Sequence, residues 1–81
     1  MASIALYPVQ RGLRSWILAV VVENRPGYTP SKYGSYESEG DAWKVADWHN
    51  SDMGILDRRR VLEIVGSSIA AQEARDNGGK Q

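Results

Sequence analysis

The sequence predicts an α+β fold: an antiparallel three-stranded sheet followed by two helices packed on one of its faces, in the order ββ(β)αα. Three observations carry this. The first forty residues alternate or run apolar in strand-length blocks, the next forty have apolar residues at helical spacing, and turn chemistry separates the blocks.

The first strand is read at Ser3 to Val9, with Ile4 and Leu6 on one face and Ala5, Tyr7 and Val9 on the other. Pro8 has no backbone donor and suits the end or edge of a sheet. Gln10 to Ser15, with Gly12, links it to the next strand as a hairpin. Trp16 to Glu23 is the strongest strand signal. Trp16, Leu18, Val20 and Val22 point one way and Ile17, Ala19 and Val21 the other, the mark of a central or doubly covered strand. Asn24 to Pro30, with Asn-Arg-Pro-Gly and a second proline, reads as a loop. Lys32 to Glu37 is expected to form the third strand, with Tyr33 and Tyr36 on opposite faces and a break or bulge at Gly34.

Ser38 is the predicted N-cap of the first helix, and Asp41 three residues on approximates a capping box. Glu37, Glu39 and Asp41 place negative charge at the positive end of the helix dipole. This helix should run to His49 or Asn50, with Ser51-Asp52-Met53-Gly54 ending it. Its apolar face gathers Ala42, Val45, Ala46, His49 and Met53, flanked by Trp43 and Trp48. Asp57 is the expected N-cap of the second helix, which continues to about Arg75. Its stripe is Val61, Ile64, Val65 and Ile69, widened by Leu62 and Ala71. Residues 1–76 are read as one domain and 77–81 as a disordered tail.

If both helices take one sheet face, the other remains apolar and bare. Tyr7, Val9, Ile17, Ala19 and Val21 are the residues expected there, or the Trp16 to Val22 set if the faces are reversed; their exposure implies a homodimer or another partner, unless the Asn24 to Pro30 loop folds over them.

The 81-residue chain, 9.0 kDa, has room for one thin core: about 63 % of the unfolded surface is buried at this size. It holds no cysteine and one histidine, which disfavours disulfides, thiol chemistry and most metal sites, and no cofactor is expected. The longest apolar run, Trp16 to Val22, is too short to span a membrane, so the expectation is a cytoplasmic protein. Ten Lys+Arg against ten Asp+Glu give zero net charge. That zero is a cancellation: residues 1–36 carry +3, 37–57 carry −5 and 58–81 carry +2. Neutrality argues against a generic nucleic-acid binder, while the zoning leaves room for specific docking.

No residue pattern supports catalysis. His49 lies on an apolar helix face and reads as a core residue bonded to a backbone carbonyl. Glu37, Glu39 and Asp41 read as helix-start charges, and Ser67-Ser68 as a point of close backbone approach. Arg58-Arg59-Arg60 is the most unusual run, because three cations at a helix N-terminus oppose the dipole at a few tenths of a kcal/mol each. It reads either as a solvated turn, with Arg59 paired to Glu63, or as an anchor for an acidic or phosphate-bearing partner. Arg11, Arg14 and Arg25 would extend that patch, and Trp48 and Tyr36 would add aromatic contacts.

Residues Tyr33 to Ala42, an aromatic-glycine strand end leading into an acidic helix start, resemble the strand-to-helix join of the arm-type DNA-binding domains of phage integrases. The whole chain, short, cysteine-free and β-then-α, resembles the small proteins encoded by bacteriophages and other mobile elements, anti-CRISPR proteins among them. That second resemblance implies a non-enzymatic inhibitor that binds a host defence complex and acts by steric occlusion. The alternatives are a small DNA-binding accessory domain, reading with Arg11, Arg14, Arg25 and Lys32, and an antitoxin-like regulatory dimer.

Overall fold

A computed structural model describes residues 2–78. The chain is an α+β fold: a three-stranded antiparallel sheet, in the order β1-β2-β3, followed by two helices. β1 spans Ile4–Gly12 and β2 Ser15–Val22, joined by a tight turn at Leu13 and Arg14. Their register pairs Ala5 with Val21, Tyr7 with Ala19 and Val9 with Ile17, and it slips at Arg11 between Gln10 and Gly12.

The third strand differs from expectation. β3 is Thr29–Pro30, inside the segment read as a loop, and pairs with Ala19 and Val20. Pro30 is tolerated because the strand is an edge. Ser31 then donates its N–H to the Leu18 carbonyl at 2.8 Å. The predicted strand Lys32 to Glu37 keeps only a bridge, in which Tyr36 and Trp16 exchange two backbone hydrogen bonds of 2.8 Å. Between these points the chain bends away at Lys32 and Tyr33, and Tyr33 packs onto the sheet.

α1, Glu39–Asp52, starts as expected: the Ser38 hydroxyl accepts from the Asp41 amide at 3.2 Å. It ends two residues later than predicted, in a left-handed turn at Gly54, φ +86°. There Ile55 donates to the Asn50 carbonyl and Gly54 to that of Ser51, while the Ile55 side chain enters the core. α2, Arg58–Gly78, starts with the Asp57 carboxylate accepting from the Arg59 amide at 2.8 Å. The helix includes Asn77 and Gly78, which were expected in the tail; residues 79–81 lie outside the described residues.

The helices divide the sheet between them. Ala42 and Ala46 of α1 pack with Leu6 and Leu18, which point to one face. Val61 and Ile64 of α2 pack with Ala5, Ala19 and Val21, which point to the other. The expected sharing of one face by both helices is therefore not what the packing shows. β2 is apolar on both sides, and each side takes its own helix.

Asn50 makes this possible. It is buried, and its carboxamide accepts from Leu6 N–H at 2.8 Å and donates to Leu6 C=O at 3.0 Å. The side chain thus replaces a neighbouring strand on the free edge of β1. Two residues on, Pro8 offers no donor. That edge is closed to strand addition by one amide and one imino acid.

Candidate binding groove

α2 meets the sheet through its first three turns and anchors the 24–28 loop through two serines. Ser68 Oγ lies 2.6 Å from the Arg25 carbonyl, to which it donates, and 3.2 Å from that of Gly27. Ser67 Oγ accepts from Asn24 N–H at 2.9 Å and donates to Ile64 C=O at 2.7 Å. The close backbone approach expected at this pair is what they provide. Ser68 is buried, while Leu62 and Ile69, both expected in the stripe, lie outside it.

Past Ser68 the helix carries Ala70, Ala71 and Gln72, too short or too polar to fill the space over β1. A groove of about 320 Å³ opens there. Tyr7 and Val9 form its floor with Val21, Val65 and Ile69 form its helix wall, and Tyr28 closes the loop side. Ile69 is 54 % and Tyr28 48 % exposed at its rim. Gln72 and Glu73 are its polar lip, and no cation among the described residues lines it.

The expected bare sheet face is corrected here. Ala19 and Val21, at 0 % and 4 % exposure, are core under α2. Tyr7, Val9 and Ile17 are half-buried, and of these Tyr7 and Val9 form the groove floor.

The arginines expected to form one patch are dispersed. Arg11 and Arg14 sit at the hairpin turn and Arg25 follows the opposite end of β2, about 25 Å away along the strands. Arg58 makes a two-pronged bond to Asp47, at 2.7 Å from Nη2 and 3.1 Å from Nε, and stacks 4.5 Å over Trp43. The hydrogen bond to Asp47, outweighing partial desolvation, holds the Arg58 guanidinium above its ordinary range. Arg60 reaches Glu23 at 3.0 Å and Ser3 Oγ at 3.3 Å, clasping the open end of the hairpin. Its weak pairing with Glu63, at 3.9 Å, takes the place expected of Arg59. Two of the three cations at the start of α2 are thus held by the chain's own carboxylates.

Tyr36 is also structural: its backbone bridges Trp16 and its ring packs on the Leu6–Leu18 cluster. Trp48 is 66 % exposed, as a partner-facing aromatic would be. It lies against His49, ring centroids 5.0 Å apart. His49 itself is half-buried and stacks on Tyr33 at 3.9 Å, rather than bonding a carbonyl. Among the described residues no group of three His, Asp or Glu side chains is placed to hold a metal ion. Nor is any helix among them long and apolar enough to cross a membrane.

The groove residues Tyr28, Val65, Ile69 and Glu73 were not singled out as a site from the sequence. The sequence holds no signal for them, since it places Val65 and Ile69 in the buried stripe with Val61 and Ile64. No family model matches the chain, and no curated protein or solved structure matches it at a significant level.

Proposed function

We propose that the chain is a small protein-binding module that acts by occupying a partner's surface, and that it docks through the groove between α2 and β1. The supporting observation is the groove's lining: six apolar or aromatic side chains converge on one concavity, with Ile69 and Tyr28 standing out at its rim. The space suits one or two side chains of a partner. The chemistry of its walls specifies them: an apolar anchor such as Leu, Met or Phe, flanked by Lys or Arg to meet Glu73.

Selection of a random peptide library on the immobilised protein tests this. Enriched peptides should carry the apolar-plus-basic pair, lose binding to Ile69→Lys and Tyr28→Ala, and keep binding to Trp48→Ala. Peptides of another character, or binding indifferent to Ile69→Lys, would overturn the groove as the docking site.

The narrower form of the reading is an inhibitor encoded by a phage or other mobile element, covering a working surface of a host defence complex. The small size, the docking groove and the likeness to such proteins support it. Expression in cells with an active defence system should restore phage plating, and Ile69→Lys should abolish the effect. Unchanged plating across a panel of defence systems would count against this form while leaving the groove intact.

A further inference from the structure

We infer that the outward face of α2 is a self-association surface, on which a second copy of this chain lays its own α2 antiparallel across Gly66. This goes beyond the groove, with which it shares only the rim residues Ile69 and Glu73.

Arg59, Leu62, Gly66, Ile69, Glu73 and Asp76 follow one another at alternating spacings of three and four, the period of a helix–helix seam. All six are exposed. Leu62, at 52 %, and Ile69 are the large apolar members. A helix that already buries Val61, Ile64 and Ser68 on one side thus presents a second seam to solvent.

Gly66 is the observation that needs a partner. Glycine is the poorest helix former after proline, and this one lies in the middle of α2. A Cβ built there would meet nothing within 4 Å. Nothing inside the chain uses the missing side chain, whereas a second helix crossing at this point would.

Charge chooses the direction. Arg58 and Arg60 have carboxylate partners, and Arg59 has none among the described residues. Glu73 and Asp76 lie at the other end of the seam. A parallel pair would set arginine against arginine and carboxylate against carboxylate. The antiparallel pair sets Ile69 of one copy over Gly66 of the other, the stem of Glu73 beside Leu62, and Asp76 beside Arg59. Two-fold symmetry repeats each contact, so a cation–anion pair flanks the crossing at both ends.

Sedimentation velocity over a wide dilution series tests this on the intact chain. The expected result is a reversible shift from the mass of one chain to that of two as concentration rises. Gly66→Gln should raise helix content and thermal stability of the monomer, yet weaken the dimer about tenfold or more. Arg59→Asp should weaken the dimer, and Arg59→Asp combined with Asp76→Arg should restore it. A single-chain mass at every concentration, or a dimer indifferent to Gly66→Gln, would overturn the inference. A double variant no stronger than Arg59→Asp alone would overturn the antiparallel register. None of these substitutions falls on a groove-lining residue, so peptide binding measured at dilutions where the chain is single reports on the docking site separately.

Discussion

Replacing Asn50 by alanine removes both hydrogen bonds that close the edge of β1. The carboxamide is buried, and its contacts of 2.8 and 3.0 Å satisfy the N–H and C=O of Leu6, which is buried too. No water can reach those groups without opening the packing of α1 on the sheet. A buried polar group left without a partner costs about 1–3 kcal/mol. Alanine recovers a few tenths of a kcal/mol through its better helix propensity. With two such groups orphaned, the Leu6 N–H and C=O, the net expectation is a loss of about 1.5–5.5 kcal/mol. An 81-residue chain has a total stability of about 4–12 kcal/mol, so the change is a large fraction of it. Urea unfolding followed by tryptophan emission measures it as a fall in midpoint at unchanged slope, with the exposed neighbour substitution Ser51→Ala as control. Asn50→Asp sharpens the test. The carboxylate still accepts from Leu6 N–H but faces Leu6 C=O with an oxygen that cannot donate, and burial raises its pKa above the unfolded value. Protonation restores the donor. The variant's stability is therefore present below the unfolded carboxyl pKa and lost as pH rises through the folded one, so its deficit relative to the parent should shrink from pH 7 toward about pH 4. A cost below about 1 kcal/mol for Asn50→Ala, or a deficit for Asn50→Asp that does not change with pH, would refute the edge-clamp argument.

Gly54→Ala forces a Cβ into the left-handed turn that ends α1, at φ +86°, and should cost about 1 kcal/mol in chemical unfolding. Ser68→Ala removes the hydroxyl that holds the Arg25 and Gly27 carbonyls; it should cost about 1–2 kcal/mol and speed amide exchange selectively over residues 24–28. Arg58→Ala breaks an exposed ion pair and the stacking on Trp43, so the emission of Trp43 should shift while the unfolding midpoint barely moves. Trp48→Ala should change stability by less than about 0.5 kcal/mol, because two-thirds of that side chain already faces solvent.

Much of the fold is legible along the chain because its signals are local. The hairpin reads from two strand-length apolar blocks about Gly12, the start of α1 from Ser38, its end from Gly54 and the start of α2 from Asp57, each a matter of a few neighbouring residues. Local pattern misplaces the third strand because a two-residue edge strand has no pattern of its own. Thr29 and Pro30 are in the sheet only because the edge of β2 passes beside them. Asn50 reads locally only as a helix end, since nothing in its neighbours shows that it faces the backbone of Leu6, forty-four residues away. Ser68 and Ile69 exchanged expected places for the same reason: the carbonyls of Arg25 and Gly27 draw the serine inward.

By itself, the sequence determined the element types, their order, the caps and the double-sided apolarity of β2, because backbone propensity and side-chain period act within a few residues. Only the tertiary structure decided which face each helix covers, and with it the fate of every expected site. α2 buries Ala19 and Val21 and leaves a groove beside Tyr7 and Val9, α1 clamps an edge, and two of three clustered arginines are taken up by Asp47 and Glu23. These outcomes depend on contacts between residues far apart in the chain, which no local pattern encodes.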